Sequence, residues 1–341
     1  MAILSKVKMQ LEQNLPFVLY VLPNQTKLCG LFQKDNSIHD FIGQSGFVFA
    51  SFDDNKKYVI PSESSYSIEE EFSFDAVNQS EVLMNYSENE KKHFEDIVQK
   101  AVNSIQKGDF EKVVLSRKIE MEKKVDLIET FLRLVNRYPT AFRSLFYHPQ
   151  IGCWMGATPE QLIKVENNHF ETVSLAGTHQ KSSFEKWSSK EIQEQQIVTD
   201  YILDSLHREV LSLKVSEPFT VEAGSLVHLK TIITGDVHSI ENTKNIIQNL
   251  HPTPAVCGFP KEKALQFINE NEGYDRKFYA GYLGLWNEQE ASANLFVNLR
   301  CLEVEENKIN IYVGCGITGE SNPEKEFLET EHKSQIMKSI L

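Results

Sequence analysis

Apolar positions change period several times along the chain, and the changes mark its elements. Phe94, Ile97, Val98, Ala101, Val102 and Ile105 recur at helical intervals and stop at Gly108, a residue suited to the left-handed position that closes a helix. Lys112 to Ile119 follows as a strand, and a second amphipathic helix covers about residues 127–137. From Ala141 to Leu175 the pattern is that of several strands, with Asn167-Asn168 as a hairpin turn. A long helix is predicted over roughly 190–213, where Val198, Ile202, Leu206, Val210 and Leu213 make one face. Strand-like runs follow at 226–235, 279–286, 293–304 and 308–315, with Glu306-Asn307 turning between the last two, and a final helix fills about 323–340. The first 85 or so residues are irregular, with turn signals at Pro23-Asn24, Asp53-Asp54-Asn55 and Pro61-Ser62 between short runs such as Phe47-Val-Phe-Ala50. Strand meanders mixed with long helices define an α+β protein. No repeat, low-complexity tract or Pro/Gly/Ser linker offers a cut. The expectation is therefore one large domain over residues 1–341, least defined over 1–85.

Composition narrows the classes. The 341 residues carry 35 Lys+Arg against 48 Asp+Glu, a net charge of −13, and 41% hydrophobic with 24% charged residues excludes collagen-like and disordered chains. No 18-residue apolar run exists to span a bilayer, so no membrane association is expected. The run Phe17 to Leu22 is too short for a signal-peptide core and follows Glu12 rather than a basic leader, so a cytoplasmic location is expected. A pI near 5.3 argues against nucleic acid as a partner, because no global basic field displaces counterions. It leaves room for an anionic small molecule held by a local cluster of Lys and Arg. The five cysteines, Cys29, Cys153, Cys257, Cys301 and Cys315, lack CxxC or CxH spacing and read as reduced core thiols.

Several polar groups fall where apolar ones belong. In the last helix, introduced by Ser321-Asn322-Pro323-Glu324, Glu326, Glu329 and Lys333 share an arc with Ile336, Met337 and Ile340 at about 100° per residue. Glu329 and Lys333 read either as a surface i,i+4 pair or as part of a face lining a polar cavity, where carboxylates three apart can hold a divalent cation. Glu194 sits at the rim of the apolar face of the 190–213 helix, either solvated or completing, with Glu326 and Glu329, an all-oxygen site of the kind Mg²⁺ prefers. Lys112 opens a strand expected to be covered on both faces. It reads either as a strand-entry lysine reaching water or as a buried amine able to act as a general base. Glu160 follows the turn Gly156-Ala-Thr-Pro159, where shielding would favour a protonated general acid. Arg300, on the 293–304 strand, is a candidate partner for a carboxylate, and Gly314-Cys-Gly316 could present backbone N–H groups to another. Neither a Walker loop nor GxGxxG is present, so nucleotide binding is unsupported.

As an ordered set these residues resemble the chorismate-utilising enzymes, and within them the isochorismate synthases. The resemblance runs from about residue 90 to 341. It rests on Lys112-Val-Val-Leu-Ser-Arg117, Gly156-Ala-Thr-Pro-Glu160, Leu175-Ala-Gly-Thr178, Glu194-Gln-Gln-Ile-Val198 and Leu250-His-Pro-Thr-Pro-Ala-Val-Cys-Gly258. It continues through Asp275-Arg276 with Phe278-Tyr-Ala-Gly281, Val297 to Arg300, Tyr312-Val-Gly-Cys-Gly-Ile317, and Ser321 to Pro323 with Glu326-Phe-Leu-Glu-Thr330 ahead of Lys333. Each segment alone is weak; nine in one order are specific.

The resemblance implies an α+β fold of two large antiparallel sheets with flanking helices, like anthranilate synthase component I. It implies a Mg²⁺-dependent isomerase with chorismate as substrate. Lys112 would activate the water that attacks C2, and Glu160 would protonate the departing C4 hydroxyl. Glu194 and Glu329 match the magnesium ligands, with Glu326 nearby, directly or through water. Arg300, Tyr312, Gly314, Gly316 and Lys333 match positions around substrate carboxylates, and Ala176, Gly177 and Thr178 match further substrate-binding positions. His228 reads either as a residue that helps seat the ring or as a core histidine with a satisfied hydrogen bond. Ala176 stands where aminodeoxychorismate synthases carry a nucleophilic Lys, and Lys112 where the ammonia-using anthranilate synthases generally differ. Water is therefore the expected nucleophile, and no obligate glutaminase subunit is expected. A salicylate synthase, which goes on to eliminate pyruvate, and a non-catalytic metabolite-binding homologue are the alternatives. Gln195-Gln196 depart from the His-Glu or His-Gln that often follows the first metal-binding Glu, which puts the surroundings of Glu194 in question. Whether the product serves menaquinone, a siderophore or salicylate is not written in the chain.

Overall fold

The computed structural model describes residues 2–73, 86–181, 184–207, 209–223 and 226–341; for Ala176, Thr178, His179, Gln180, Lys190, Glu194, Ala223 and Leu226 it describes the backbone alone. Two antiparallel sheets face each other. The first runs, in spatial order, Gly258–Phe259, Lys112–Glu122, Lys308–Ile317, Cys301–Val304, Gly152–Thr158, Phe142–His148, Phe17–Val21, Lys27–Gln33 and Ser65–Glu71. The second runs Val210–Val215, Leu226–Val237, His169–Gln180, Gln161–Glu166, Ser292–Val297, Tyr282–Asn287, Gly46–Ala50 and Lys57–Pro61, with Phe219–Ala223 also paired to Leu226–Val237. The expected two-sheet α+β architecture is what forms.

The sheets meet through aromatic side chains. Phe142 of the first stacks on Phe296 of the second with centroids 4.3 Å apart, and Phe146 meets Phe49 at the same separation. The outer face of the first sheet forms a second core with the helices Ala2–Glu12 and Leu127–Arg137 and the end of the helix Pro323–Lys338. Strands buried on both faces read as continuous apolar runs, as Phe17–Val21 does. The helix Glu88–Lys107 ends at the glycine its pattern predicts and begins at Glu88, ahead of the apolar stripe that opens at Phe94. Ser87 accepts from Asn89 N, and Gly108 takes φ 84° and donates to Ile105 O.

Four features differ from the sequence reading. The first 71 residues are not irregular: they form a helix, Ala2–Glu12, and five strands, three in one sheet and two in the other. The predicted 190–213 helix ends at Leu206, and Val210–Val215 is a strand paired to Leu226–Val237. Val210 and Leu213 fall at helical spacing by coincidence, and β-branched Val210 and Val215 suit the extended chain. Two further helices, Ile240–Leu250 and Lys261–Asn271, were not expected, although Thr243, Ile246, Ile247 and Leu250 of the first make a buried stripe at helical spacing.

The fourth difference matters most for function. The predicted 293–304 strand is two strands, Ser292–Val297 in the second sheet and Cys301–Val304 in the first. Beside it, Gly152–Thr158 in the first sheet gives way to Gln161–Glu166 in the second. Two neighbouring antiparallel segments thus cross between sheets at the same level. Ala157 N donates to Arg300 O at 3.0 Å, and Val297 N donates to Glu160 O at 2.9 Å, so the crossings brace each other. Arg300 is therefore not on a strand. It sits in the crossing with φ 48°, a left-handed conformation that non-glycine residues seldom adopt and that concentrates at functional sites.

If the aromatic seam holds the sheets together, Phe142→Ala should lower unfolding stability by about 3–5 kcal/mol with an unchanged m-value in urea titration. A loss below 1 kcal/mol would mean that the seam contributes little.

Candidate active site

The cavity forms where the crossings leave the sheets apart. In Lys112–Glu122 side chains alternate. Val113 and Leu115 point to the face on which Arg117 meets the helix Pro323–Lys338, while Lys112, 2% exposed, and Val114 line a cavity of about 150 Å³ between the sheets. Gly316 lies opposite Val114 in the neighbouring strand and Gly314 opposite Ser116. Val114 N donates to Cys257 O at 2.8 Å and Ser116 N to Glu272 Oε1 at 2.6 Å, both away from the glycines. In an antiparallel ladder Gly314 and Gly316 then turn their own amides to the other edge. There the pairing with Cys301–Val304 has already stopped, at Cys301 opposite Tyr312. Two backbone amide positions of the predicted carboxylate nest therefore face the crossing that carries Arg300. A Cβ on Gly314 would lie 2.7 Å from Leu115 O and 2.9 Å from the Tyr279 hydroxyl, so only glycine fits.

Glu160 and Arg300 enter from the two crossings, and Lys333 enters from the helix Pro323–Lys338; all three line the cavity with Lys112. Burial pushes the Glu160 carboxyl up to about 7, against the pull of the Lys112, Lys333 and Arg300 charges. Glu160, expected from the sequence to be a shielded acid, thus lies in a buried setting among three cationic side chains. Burial lowers the Arg300 guanidinium from its ordinary value, and Tyr279, Glu329 and Glu160 oppose that shift. Among the described residues no carboxylate is bonded to the Arg300 side chain. Three cationic side chains around one raised carboxyl make a site for an anion in a protein of net charge −13.

The last helix combines both readings of its polar stripe. Lys333 Nζ reaches Glu329 Oε1 at 2.6 Å and also donates to Gly314 O at 2.9 Å, so the pair is an i,i+4 ion pair that borders the cavity. Glu326 is 8% exposed. Burial raises the Cys315 thiol well above its ordinary range, and Glu329 and Glu326 raise it further, so both carboxylates direct negative charge at this end of the cavity. All-oxygen donors on one helix face fit a hard divalent cation. Glu194 lies on the helix Ser189–Leu206 with its side chain outside the described residues, and the described side chains alone form no group of three metal ligands. Its neighbour Gln195 is buried and donates to Thr199 Oγ1 at 2.9 Å and Thr231 Oγ1 at 2.5 Å, while Ser174 Oγ donates to its carbonyl at 3.1 Å. Gln195 thus ties the helix to two strands of the second sheet, where a histidine was the expected neighbour.

Gly177 and His228 also line the cavity, and His228 Nδ1 lies 3.0 Å from Gly177 O. Burial holds the His228 imidazole below its ordinary value over that bond, with the Arg300 and Lys333 charges adding to the shift. Ala176 and Thr178 flank Gly177 on the same strand, with side chains outside the described residues. Tyr312 lines the cavity with its ring, but its hydroxyl donates to buried Glu303 at 3.0 Å. The hydroxyl above Gly314 belongs to Tyr279, which sequence reasoning placed in a motif without assigning it a role. Buried Glu331 was also missed: it pairs with Arg117 and lies 3.1 Å from Lys338 Nζ. Its position one turn from Phe327 in a helix already rich in charge gave no distinguishing pattern.

This arrangement of braced crossings, glycine pair and helix-borne carboxylates makes a site for a small anion between the two sheets. Residues 49–341 match the family described as chorismate binding enzyme, and the chain belongs to that family. Isochorismate synthase EntC of Escherichia coli (strain K12) is 31% identical over 266 residues, which cover 74% of this chain and 67% of EntC. The structure of DhbC from Bacillus anthracis aligns over 98% of both chains with a TM-score of 0.80 and 23% identity. The menaquinone-specific isochorismate synthase MenF from Escherichia coli aligns over 96% of this chain and 88% of its own, with a TM-score of 0.79 and 18% identity. The structural likeness is one of fold. No helix among the described residues is long and apolar enough to cross a membrane.

The raised Glu160 carboxyl gives a signed prediction. The folded protein holds this proton more tightly than the unfolded chain, so stability falls as pH rises from the ordinary carboxylate range through about 7. Glu160→Gln removes that term. Its melting temperature relative to wild type should therefore climb between pH 5 and pH 8, read by scanning calorimetry; a pH-independent difference would contradict the burial argument.

Proposed function

We propose that this chain is an isochorismate synthase, an isomerase that adds water at C2 of chorismate and releases the C4 hydroxyl as water. The observation that carries the reading is the cavity in which Lys112 and a Glu160 carboxyl raised to about 7 share one wall system with Arg300 and Lys333. An ether-linked enolpyruvyl carboxylate suits Arg300, the Tyr279 hydroxyl and the edge of Gly314 and Gly316. Lys112 takes a proton from the attacking water as its oxygen bonds to C2. The ring double bonds shift, and the C4–O bond breaks as Glu160 gives its proton to the departing oxygen. One water enters and one leaves, so no oxidant or reductant is required. Returning the proton from Lys112 to Glu160 resets the site.

Glu194 and Glu329, with Glu326 nearby, would hold Mg²⁺, which offsets the charge of the ring carboxylate when bound. What remains is supplied by the chain itself. Arg300 and Lys333 orient the dianion, and His228 with Gly177 bounds the cavity on the second sheet's side. The relatives named isochorismate synthase support water, rather than ammonia, as the nucleophile.

Purified protein incubated with chorismate and Mg²⁺ should form isochorismate, read by chromatography, short of complete conversion, and excess chelator should stop it. Lys112→Ala should lower kcat by about 100-fold or more while the circular dichroism spectrum is retained. Salicylate with pyruvate as the main product would replace the proposal by a synthase that eliminates. Full activity of Lys112→Ala would refute the role given to the lysine.

A further inference from the structure

On the edge away from Lys308–Ile317 the strand that carries Lys112 runs out of ladder partner after Val113, and an ion pair stands in for one. Gly258–Phe259 pairs only with Val113 and Lys112. Beyond that point Val114 and Ser116 still turn backbone groups to the same edge. Arg276 Nη2 donates to Val114 O at 2.7 Å, and Glu272 Oε1 accepts from Ser116 N at 2.6 Å. Arg276 Nη1 also donates to Val256 O at 2.9 Å, in a loop from which Val256, like Val114, lines the cavity. The two charged residues grip each other through Arg276 Nε and Nη2 at 2.8 and 2.5 Å, and their side chains are each 2% exposed. Phe52 lies under the guanidinium, 4.3 Å from its centroid, and Tyr279 N donates to Arg276 O at 2.9 Å. One pair therefore fixes three parts of the cavity wall: the Lys112 strand, the Val256 loop and the Tyr279 turn.

Stability alone does not call for this arrangement. A buried ion pair returns little net free energy, and well-packed apolar residues of similar volume often serve as well. What apolar residues cannot supply is a donor for Val114 O and an acceptor for Ser116 N in fixed relation to a donor for Val256 O. We propose that Glu272 and Arg276 are positioning residues for the reaction assigned above, on which this inference rests. They hold the Lys112 strand and the Val256 loop at the spacing that places the base against the substrate. Neither residue touches the cavity itself, so their effect falls on the chemical step more than on substrate capture.

The test compares Arg276→Lys, which keeps the charge but not the three-way donor geometry, with wild type under the same assay. A shift of the base of about 1 Å should lower kcat roughly 10- to 100-fold, with KM for chorismate changed less than about threefold. Amide hydrogen exchange of the folded variant should quicken at 113–117 and 255–258 and stay unchanged in the Phe17–Val21 and Phe142–His148 strands. If Arg276→Lys does not fold, Ser116→Ala, which removes the hydroxyl bonded to both Glu272 oxygens, should give a smaller effect on kcat in the same direction with the same local exchange. A folded variant with wild-type kcat overturns the inference, and so does a kcat loss accompanied by quickened exchange throughout. An inactive wild type refutes the proposed function, and in that case the local exchange pattern alone decides whether the pair holds the wall.

Discussion

Two backbone hydrogen bonds between neighbouring crossings organise the site. Where the chain passes from sheet to sheet at Thr158–Gln161 and again at Val297–Cys301, each crossing would on its own be a bend with unpaired amides. Paired through Ala157 N to Arg300 O and Val297 N to Glu160 O, they become a rigid hinge line between the sheets. That line puts a carboxyl and a guanidinium at the mouth of the same gap. It also ends the Cys301–Val304 strand early, which leaves Gly314 and Gly316 with an open edge. The positive φ of Arg300 is the local cost of the turn, and the surrounding sheets enforce it.

The electrostatics follow from that placement. A chain with 13 more acidic than basic side chains gathers Lys112, Arg300 and Lys333 around one cavity, and Glu160, the only carboxyl lining it among the described residues, is pushed toward its neutral form. The acidic groups of the last helix, Glu326 and Glu329, stand at one end instead of within the lining. Positive and negative charge are thus separated across a few residues, in a manner suited to a ligand with two carboxylates and a cation at one of them. On the far side of the Lys112 strand, Glu272 and Arg276 take over the hydrogen bonds that a longer strand would have made.

Much of this was legible in the residues, for physical reasons that can be named. The helix Glu88–Lys107 announced itself because its stripe is long and its closing glycine is explicit. Lys112, Glu160 and the Glu326–Lys333 stripe stood out because charge on a buried face is costly and demands a partner or a purpose. The resemblance to a known family then joined positions that spacing alone could not connect. Arg300 was singled out by chemistry yet placed on a strand, because a short crossing between two apolar runs has the same alternation as one continuous strand. Val210 and Leu213 were drawn into a helix because short apolar runs satisfy both periods. Ala2–Glu12 is held by tertiary contacts, with Ala2 N donating to Glu70 at 2.7 Å, and such contacts leave no local signal. The role of Tyr279 in place of the Tyr312 hydroxyl depends on which neighbour each hydroxyl meets, which only the folded chain determines.

In the proposed reaction a water molecule, activated beside Lys112, becomes the C2 hydroxyl of the product. A single turnover of enzyme-bound chorismate in water enriched in oxygen-18, followed by mass spectrometry of the isolated isochorismate, reads this directly. The expected product carries one heavy oxygen, located at C2, with none gained in the enolpyruvyl group. Unlabelled isochorismate would mean that the C4 hydroxyl migrates within the molecule, and the roles given to Lys112 and Glu160 would then be wrong.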